Sequence, residues 1–234
     1  MPYLSFIEDK ILEEIIGEIL DKGQEAIYKA ESKFDRNVID PFSVILEMAS
    51  FGIEAKEWIN NEKIRQAQKS LSNHIGNFHQ RILGSVNEWK SLGSGQIVDI
   101  INNERKIIGE IKNKHNTLKA SDRAALYFKL EDLVMRKGHM YKGYTSYYIE
   151  IVPKKSQRYN IEFTPSNAST GSKCFSNSLI RQIDGYSFYA LVTGIDNALE
   201  QLFAVIPTVI LKLKPEFKLA NREFIQVFFK SAFG

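Results

Sequence analysis

The chain has 234 residues, of which 44% are hydrophobic and 25% charged, proportions that exclude a disordered or collagen-like chain and allow one sizeable core. Its 31 Lys and Arg stand against 28 Asp and Glu, and the resulting charge of +3 permits a nucleic-acid partner without requiring one. Cys174 is the single cysteine, which excludes an internal disulfide and a multi-cysteine zinc cage, and the N-terminus and apolar runs lack the pattern of a signal peptide or membrane span, so a soluble cytoplasmic protein with no membrane partner is expected.

Leu12, Ile15, Ile16, Ile19 and Leu20 recur at three- and four-residue spacing, which predicts a helical segment from Leu4 to about Lys33 with one buried face. Asp40-Pro41 starts a second helix, in which Phe42, Ile45, Leu46 and Ala49 follow at helical spacing. A third helix is predicted from about Ala55 to Leu83, with Ile64, Leu71, Ile75, Phe78 and Ile82 toward a core and Arg65, Gln66, Lys69 and Arg81 on its polar face.

Loop residues dominate from Gly84 to Gly95. Two short apolar runs follow, GQIVDII and RKIIGEI, separated by Asn102, Asn103 and Glu104, and they predict a β-hairpin. Ser121-Asp122 can cap a helix carrying Ala125, Leu126, Leu130, Leu133 and Val134 and ending near Gly138, and Tyr144 to Val152 reads as a strand. The order helix, strand, strand, helix, strand predicts an α/β fold with a central mixed sheet flanked by helices, after an N-terminal helical region. Pro153 to Asn177 shows no apolar period and is expected to be a long polar loop. Beyond it come a strand at Ile180 to Ile183, a helix from Gly185, a helix through Ala198, Leu199, Leu202 and Phe203, and a strand from Thr208 to Leu213. One domain spanning residues 1–234 is expected, with a helical part (1–84), a core (95–152), the polar loop region (153–182) and C-terminal helices and strand (183–234).

Side chains two apart on a strand share a face, so Glu110 and Lys112 in GEIKNK project together. Pairing of the two apolar runs brings Asp99 within reach of the same patch. Two carboxylates and an ammonium suit metal-assisted phosphodiester hydrolysis: magnesium held by Asp99, Glu110 and the Ile111 carbonyl, with Lys112 orienting or helping to deprotonate water and offsetting phosphate charge. The Glu-x-Lys triplet alone carries nothing, because seven occur here, beginning at Glu8, Glu31, Glu54, Glu88, Glu104, Glu110 and Glu216. Strand context singles out Glu110, and a solvated strand face with weak ion pairs, with Asp99 in a turn, is the competing reading. Asn113, Lys114, Asn116 and Thr117 follow the strand where side chains can grip a phosphate backbone.

At Asp99 and Glu110-Ile111-Lys112 the sequence resembles the PD-(D/E)xK nuclease superfamily, with Val98 in the place of the name-giving proline. NVIDPFS at 37–43, RQAQKSLSNHIGNFHQRILGS at 65–85, VDIINNERKIIGEIKNKHNT at 98–117 and IDGYSFYALVTGIDNALEQLF at 183–203 are similar to one group of type II restriction endonucleases, which recognises GGNCC or GGWCC sites. The resemblance implies a homodimer on palindromic double-stranded DNA, one strand cut per subunit with Mg2+, a 5′ overhang, Asp99 and Glu110 as metal ligands and Lys112 as the catalytic lysine. It also implies supporting polar residues near the metal, for which Glu47, His79 and Gln80 are candidates. A GG half-site calls for Arg or Lys in the major groove, and Lys154, Lys155, Arg158, Asn160, Asn167, Lys173, Asn177 and Arg181 are the candidates for reading it. Other nucleases of the superfamily and a catalytically silent DNA-binding protein are the alternatives.

Overall fold

The computed structural model describes residues 1–93, 95–216 and 222–234. Helix α1 (Asp9–Ser32) buries Leu12, Ile15 and Ile16 on one face, as their spacing requires. Asp40 caps α2 (Pro41–Phe51) by accepting a hydrogen bond from the Phe42 amide, and Gly52, at φ 65°, closes it in the left-handed region open to glycine. Helix α3 (Ala55–Gly84) returns along α1, a direction marked by the Asn37–Gln66 hydrogen bond, Gly23 against Leu71 and the Arg81–Glu18 ion pair. Only one end of this hairpin enters the main core, through Phe78, Ile82 and Leu83. At the other end α1 and α3 meet over a small cluster of Ala26, Ala30 and Ala67, so Ile64 and Ile75, expected in the core, are 56% and 37% exposed.

Strands β1 (Lys90–Ser91), β2 (Ile100–Asn102) and β3 (Ile107–Lys114) form an antiparallel meander in which Ile100 faces both Ser91 and Gly109. The predicted hairpin is present, but its first strand is shorter than GQIVDII, because the chain bends at Asp99 before β2 begins. Helix α4 (Ala120–Met135) then crosses to β4 (Thr145–Val152), which runs parallel to β3. It starts before the predicted Ser121-Asp122 cap, with Lys119 at the cap position and no side-chain bond there.

The segment expected to be a polar loop contains three short strands, β5 (Asn160–Glu162), β6 (Ser166–Asn167) and β7 (Ser172–Lys173), and buries Phe163 and Cys174. Elements of two or three residues are too short to show a period. Strand β8 (Ile180–Asp184) lies parallel to β4, and β5 closes the sheet in the order β1-β2-β3-β4-β8-β5. Helix α5 (Gly185–Thr193) leaves β8 directly, and a Cβ on Gly185 would lie 2.4 Å from the Ile151 carbonyl oxygen, so the close approach to β4 requires glycine. Helices α6 (Ala198–Leu213) and α7 (Arg222–Phe233) complete the chain. Thr208 to Leu213, predicted as a strand from its β-branched residues, continues α6 beyond Pro207. Leu202 and Val209 are buried there, with Val205, Ile206, Ile210 and Leu213 packed beside them at helical spacing, so tertiary burial overrides local propensity.

The sheet therefore has helices on both faces. Ile107, Ile111, Ile149, Ile151 and Ile183 pack toward α1, α3, α5 and α6, while Ile101, Ile108, Tyr148 and Ile180 pack toward α4. Among the described residues no single helix is long and apolar enough to cross a membrane.

Candidate active site

Glu110 and Lys112 share the α4 face of the sheet with Ile108, and the Lys112 Nζ donates a hydrogen bond to Glu110 Oε1 at 2.6 Å. Continuing the β2–β3 register by one step sets Asp99 opposite Glu110. The bend at Asp99 remains tied to both neighbours, because its amide donates to the Gly109 carbonyl and its carbonyl accepts from the Leu92 amide, each at 2.8 Å. Its carboxylate folds back so that Oδ2 accepts the Ile111 amide at 2.6 Å, which fixes the side chain and leaves Oδ1 for another partner. Thus a two-residue strand period, one antiparallel register and one bend bring together the three residues singled out in the sequence.

These groups are largely withdrawn from water: the Glu110 side chain is 14% exposed and that of Lys112 25%. Burial pushes the Asp99 carboxyl above its ordinary range, against the pull of the Ile111 amide and the Lys112 charge. Burial and then the neighbouring Asp99 charge push Glu110 up to about 7, against the pull of Lys112. Two buried carboxylates that resist ionising side by side form a site whose missing component is positive charge. Among the described residues no group of three or more His, Cys, Asp or Glu side chains is placed to hold a metal; a carboxylate pair such as this one suits a hard cation that fills its remaining positions with carbonyl, water and phosphate oxygens.

Next to this pair, on β4, lies a cluster the sequence reading missed. Glu150 stands opposite Lys112 in the parallel register and is only 3% exposed. Arg123 from α4 donates to Glu150 Oε1 at 2.9 Å and to Gln182 Oε1 at 3.2 Å, and Tyr159 and Gln182 donate to Glu150 Oε2 at 2.6 and 2.8 Å. The Arg123 guanidinium also lies over the Tyr148 ring, 5.1 Å from its centre. One signal was available: Glu150 alternates with Tyr148 on a strand otherwise apolar enough to be buried, and a buried carboxylate must be paired. Its partner, distant in sequence, was not legible. Replacing Arg123 by alanine strands the Glu150 charge and should destabilise the fold by about 3 kcal/mol, whereas Glu150→Gln, which keeps the shape and one acceptor oxygen for Arg123 while the Tyr159 hydroxyl can turn to accept from the new NH2 group, should cost clearly less. Denaturant midpoints at unchanged slope measure both; equal small losses would show the cluster to be dispensable.

The supporting residues expected near the metal are elsewhere. Glu47 accepts a hydrogen bond from Trp58 Nε1 at 2.8 Å and ties α2 to α3. His79 Nδ1 is 2.8 Å from the Tyr189 hydroxyl, on the face of the sheet opposite Glu110, where desolvation pushes its pKa down to about 4. Gln80, next on the same helix, bonds to none of the three residues. For His79 and Gln80 the cause is that α3 packs against the other side of the sheet, and helical periodicity does not say which side.

Asn113, Lys114, Asn116 and Thr117 do flank the end of β3, where Thr117 Oγ1 accepts from the Lys114 amide at 3.2 Å. Lys154 and Lys155 follow the adjacent end of β4 and line a small pocket of about 210 Å³ with Glu150, Tyr159 and Gln182. Several candidate base readers already have structural partners. Arg158 forms a double hydrogen bond with Asp196 at 2.6 and 3.1 Å and stacks on Tyr186, and Arg181 is held by Asn160. Asn167 and Asn177 accept from the Ser169 and Leu179 amides, as turn residues do. Among the described residues Lys154, Lys155 and Lys173 make no ion pair.

The sequence model of a family described as Eco47II restriction endonuclease matches residues 4–214. The chain is 41% identical to the type II restriction enzyme Eco47II of Escherichia coli over 240 aligned positions, covering 100% of both chains. It is 30% identical to the type II restriction enzyme Sau96I of Staphylococcus aureus over 209 positions, covering 88% of this chain and 78% of that enzyme.

Proposed function

From the premise that this chain belongs to the Eco47II restriction endonuclease family, we propose that it cuts double-stranded DNA with magnesium held by Asp99 and Glu110. It is a type II site-specific deoxyribonuclease, and DNA is its partner. The observation that carries the metal assignment is the buried Asp99–Glu110 pair across the hairpin, with Lys112 Nζ 2.6 Å from Glu110 Oε1.

Asp99 Oδ1 and the Glu110 carboxylate are the oxygens that would hold the ion, and the Ile111 carbonyl, on the same side of its strand as the amide bound by Asp99, is a third. When bound, magnesium supplies positive charge against the phosphoryl oxygens and lowers the pKa of water. Lys112 is the residue that positions the attacking water, takes part in its deprotonation through Nζ, and offsets negative charge gathering on the phosphate. The buried walls keep each of these interactions strong by excluding bulk water. Water adds to phosphorus as the ester oxygen leaves, and the proton lost by the attacking water is balanced by one gained on the leaving side.

Asn113 and Lys114 at the end of β3 and Asn116 and Thr117 after it, with Lys154 and Lys155 after β4, extend from the same end of two neighbouring parallel strands beside the reacting patch. They are assigned to the DNA backbone, and Lys173 to the same surface. The resemblance set out above supports as target a palindrome of the GGNCC or GGWCC kind, cut by a homodimer to leave a 5′ overhang. Digesting DNA of known sequence with magnesium and sequencing the ends tests site and stagger together. Discrete fragments ending at such sites are expected; a smear or structure-dependent nicking would sink the site-specific reading.

A further inference from the structure

We propose that the outer end of the α1–α3 hairpin, centred on α2, is the surface through which two copies of this chain pair, a proposal that deepens the homodimer reading above and rests on it. Helix α2 has no buried residue, yet its sequence, PFSVILEMASF, is that of a core helix. Phe42, Ile45 and Leu46, which share the outer side of the helix, are between 66% and 75% exposed, and Val38 just before them is fully exposed. Scattered apolar residues on a surface are ordinary; four together on one side of a helix and its N-terminal flank are not. Together they present about 500 Å² of surface per copy, enough for the apolar centre of an interface to which each partner contributes roughly 800 Å².

The occupant follows from charge and from geometry. Glu47 is the only charged residue in α2, and its carboxylate is engaged with Trp58, so the helix offers nothing to attract a phosphate backbone. An apolar face without charge is complementary to itself under a two-fold axis, where a charged face would repel its copy. One Asp99–Glu110–Lys112 constellation acts on one strand, whereas a duplex has two antiparallel strands, so a two-fold pair of chains presents one centre to each. Helices α1 and α3 pack on the face of the sheet opposite Glu110 and Lys112. Pairing through the tips leaves the α4 face of both sheets open to DNA.

The test is a double variant, Ile45→Asp with Leu46→Lys, compared with the wild-type chain by light scattering without DNA and by plasmid cleavage with magnesium. Both side chains are exposed, so circular dichroism should be unchanged. The wild type is expected at twice 26.8 kDa and the variant at 26.8 kDa, with linearisation of plasmid falling at least tenfold and nicked circles taking its place. A wild-type dimer that the variant leaves intact would place the interface elsewhere, and a wild-type monomer that linearises plasmid would also overturn the proposal. Should the variant misfold, hydrogen exchange of wild-type α2 decides: its amides should lose protection on dilution, and a concentration-independent rate refutes the pairing. Failure of the wild type to cut any DNA would count against the nuclease reading alone, because the mass measurement still decides the surface.

Discussion

Lys112→Ala is expected to lower DNA cleavage by about 10³-fold while leaving folding and DNA binding intact. The reason lies in the competition on Glu110. Lys112 Nζ sits 2.6 Å from Glu110 Oε1 in a place largely hidden from water, where it serves as the counter-ion of two carboxylates that burial pushes toward protonation. A metal ion held by Asp99 and Glu110 would supply that counter-charge, leaving the Lys112 ammonium to face water and phosphate. Removing the ammonium therefore takes away a repulsive charge from the metal's point of view, and magnesium affinity, read by calorimetry, should hold or rise as cleavage collapses. A merely structural ion pair gives the opposite pattern, with stability lost and cleavage little changed. Lys112→Arg should not restore the rate, since a planar guanidinium cannot take the place of a compact ammonium between water and phosphate. Equal cleavage by Lys112→Ala and the wild type would reject the mechanism.

The meeting of Asp99, Glu110 and Lys112 was legible because it depends on rules that act over a few residues. A period of two places Glu110 and Lys112 on one face, and a hairpin with a four-residue turn returns Asp99 to them. What was not legible depends on partners chosen at long range. Helical spacing in α3 marked Ile64, Ile75 and Phe78 alike, but only the part of the helix that reaches the sheet buries them. Thr208 to Leu213 has the residues of a strand and the burial pattern of a helix, and packing of Val209 and Ile210 beside α1 decided between the two. Arg123 and Glu150 are 27 residues apart and meet only because α4 crosses back over the sheet. The side of the sheet on which a helix lies is a property of the crossover, which explains why His79 was placed near the metal and is found across the sheet beside Tyr189.

Glu110→Gln should abolish the metal response and cleavage together, yet make the metal-free protein more stable above neutral pH. A carboxyl whose pKa rises from 4.5 in the unfolded chain to about 7 on folding binds its proton more tightly in the folded state. Below the lower value both states are protonated and Glu110 is neutral in its effect. Between the two, the folded state holds a proton that the unfolded state releases, so stability falls as pH rises through this window and the full loss is present above about 7. Glutamine keeps the shape and never ionises, so at pH 8 without metal the variant should melt a few degrees higher than the wild type, and the gap should close near pH 4. Magnesium reverses the order for the wild type alone: it binds the folded state once Glu110 has lost its proton, so the rise in melting temperature should grow from pH 6 to pH 8. The variant, with one carboxylate left, should show little rise at either pH, and its cleavage should drop at least about 10²-fold. An equal magnesium shift in both proteins would remove Glu110 from the metal site. A wild type more stable than the variant at pH 8 without metal would show instead that the Lys112 ion pair outweighs the cost of burial.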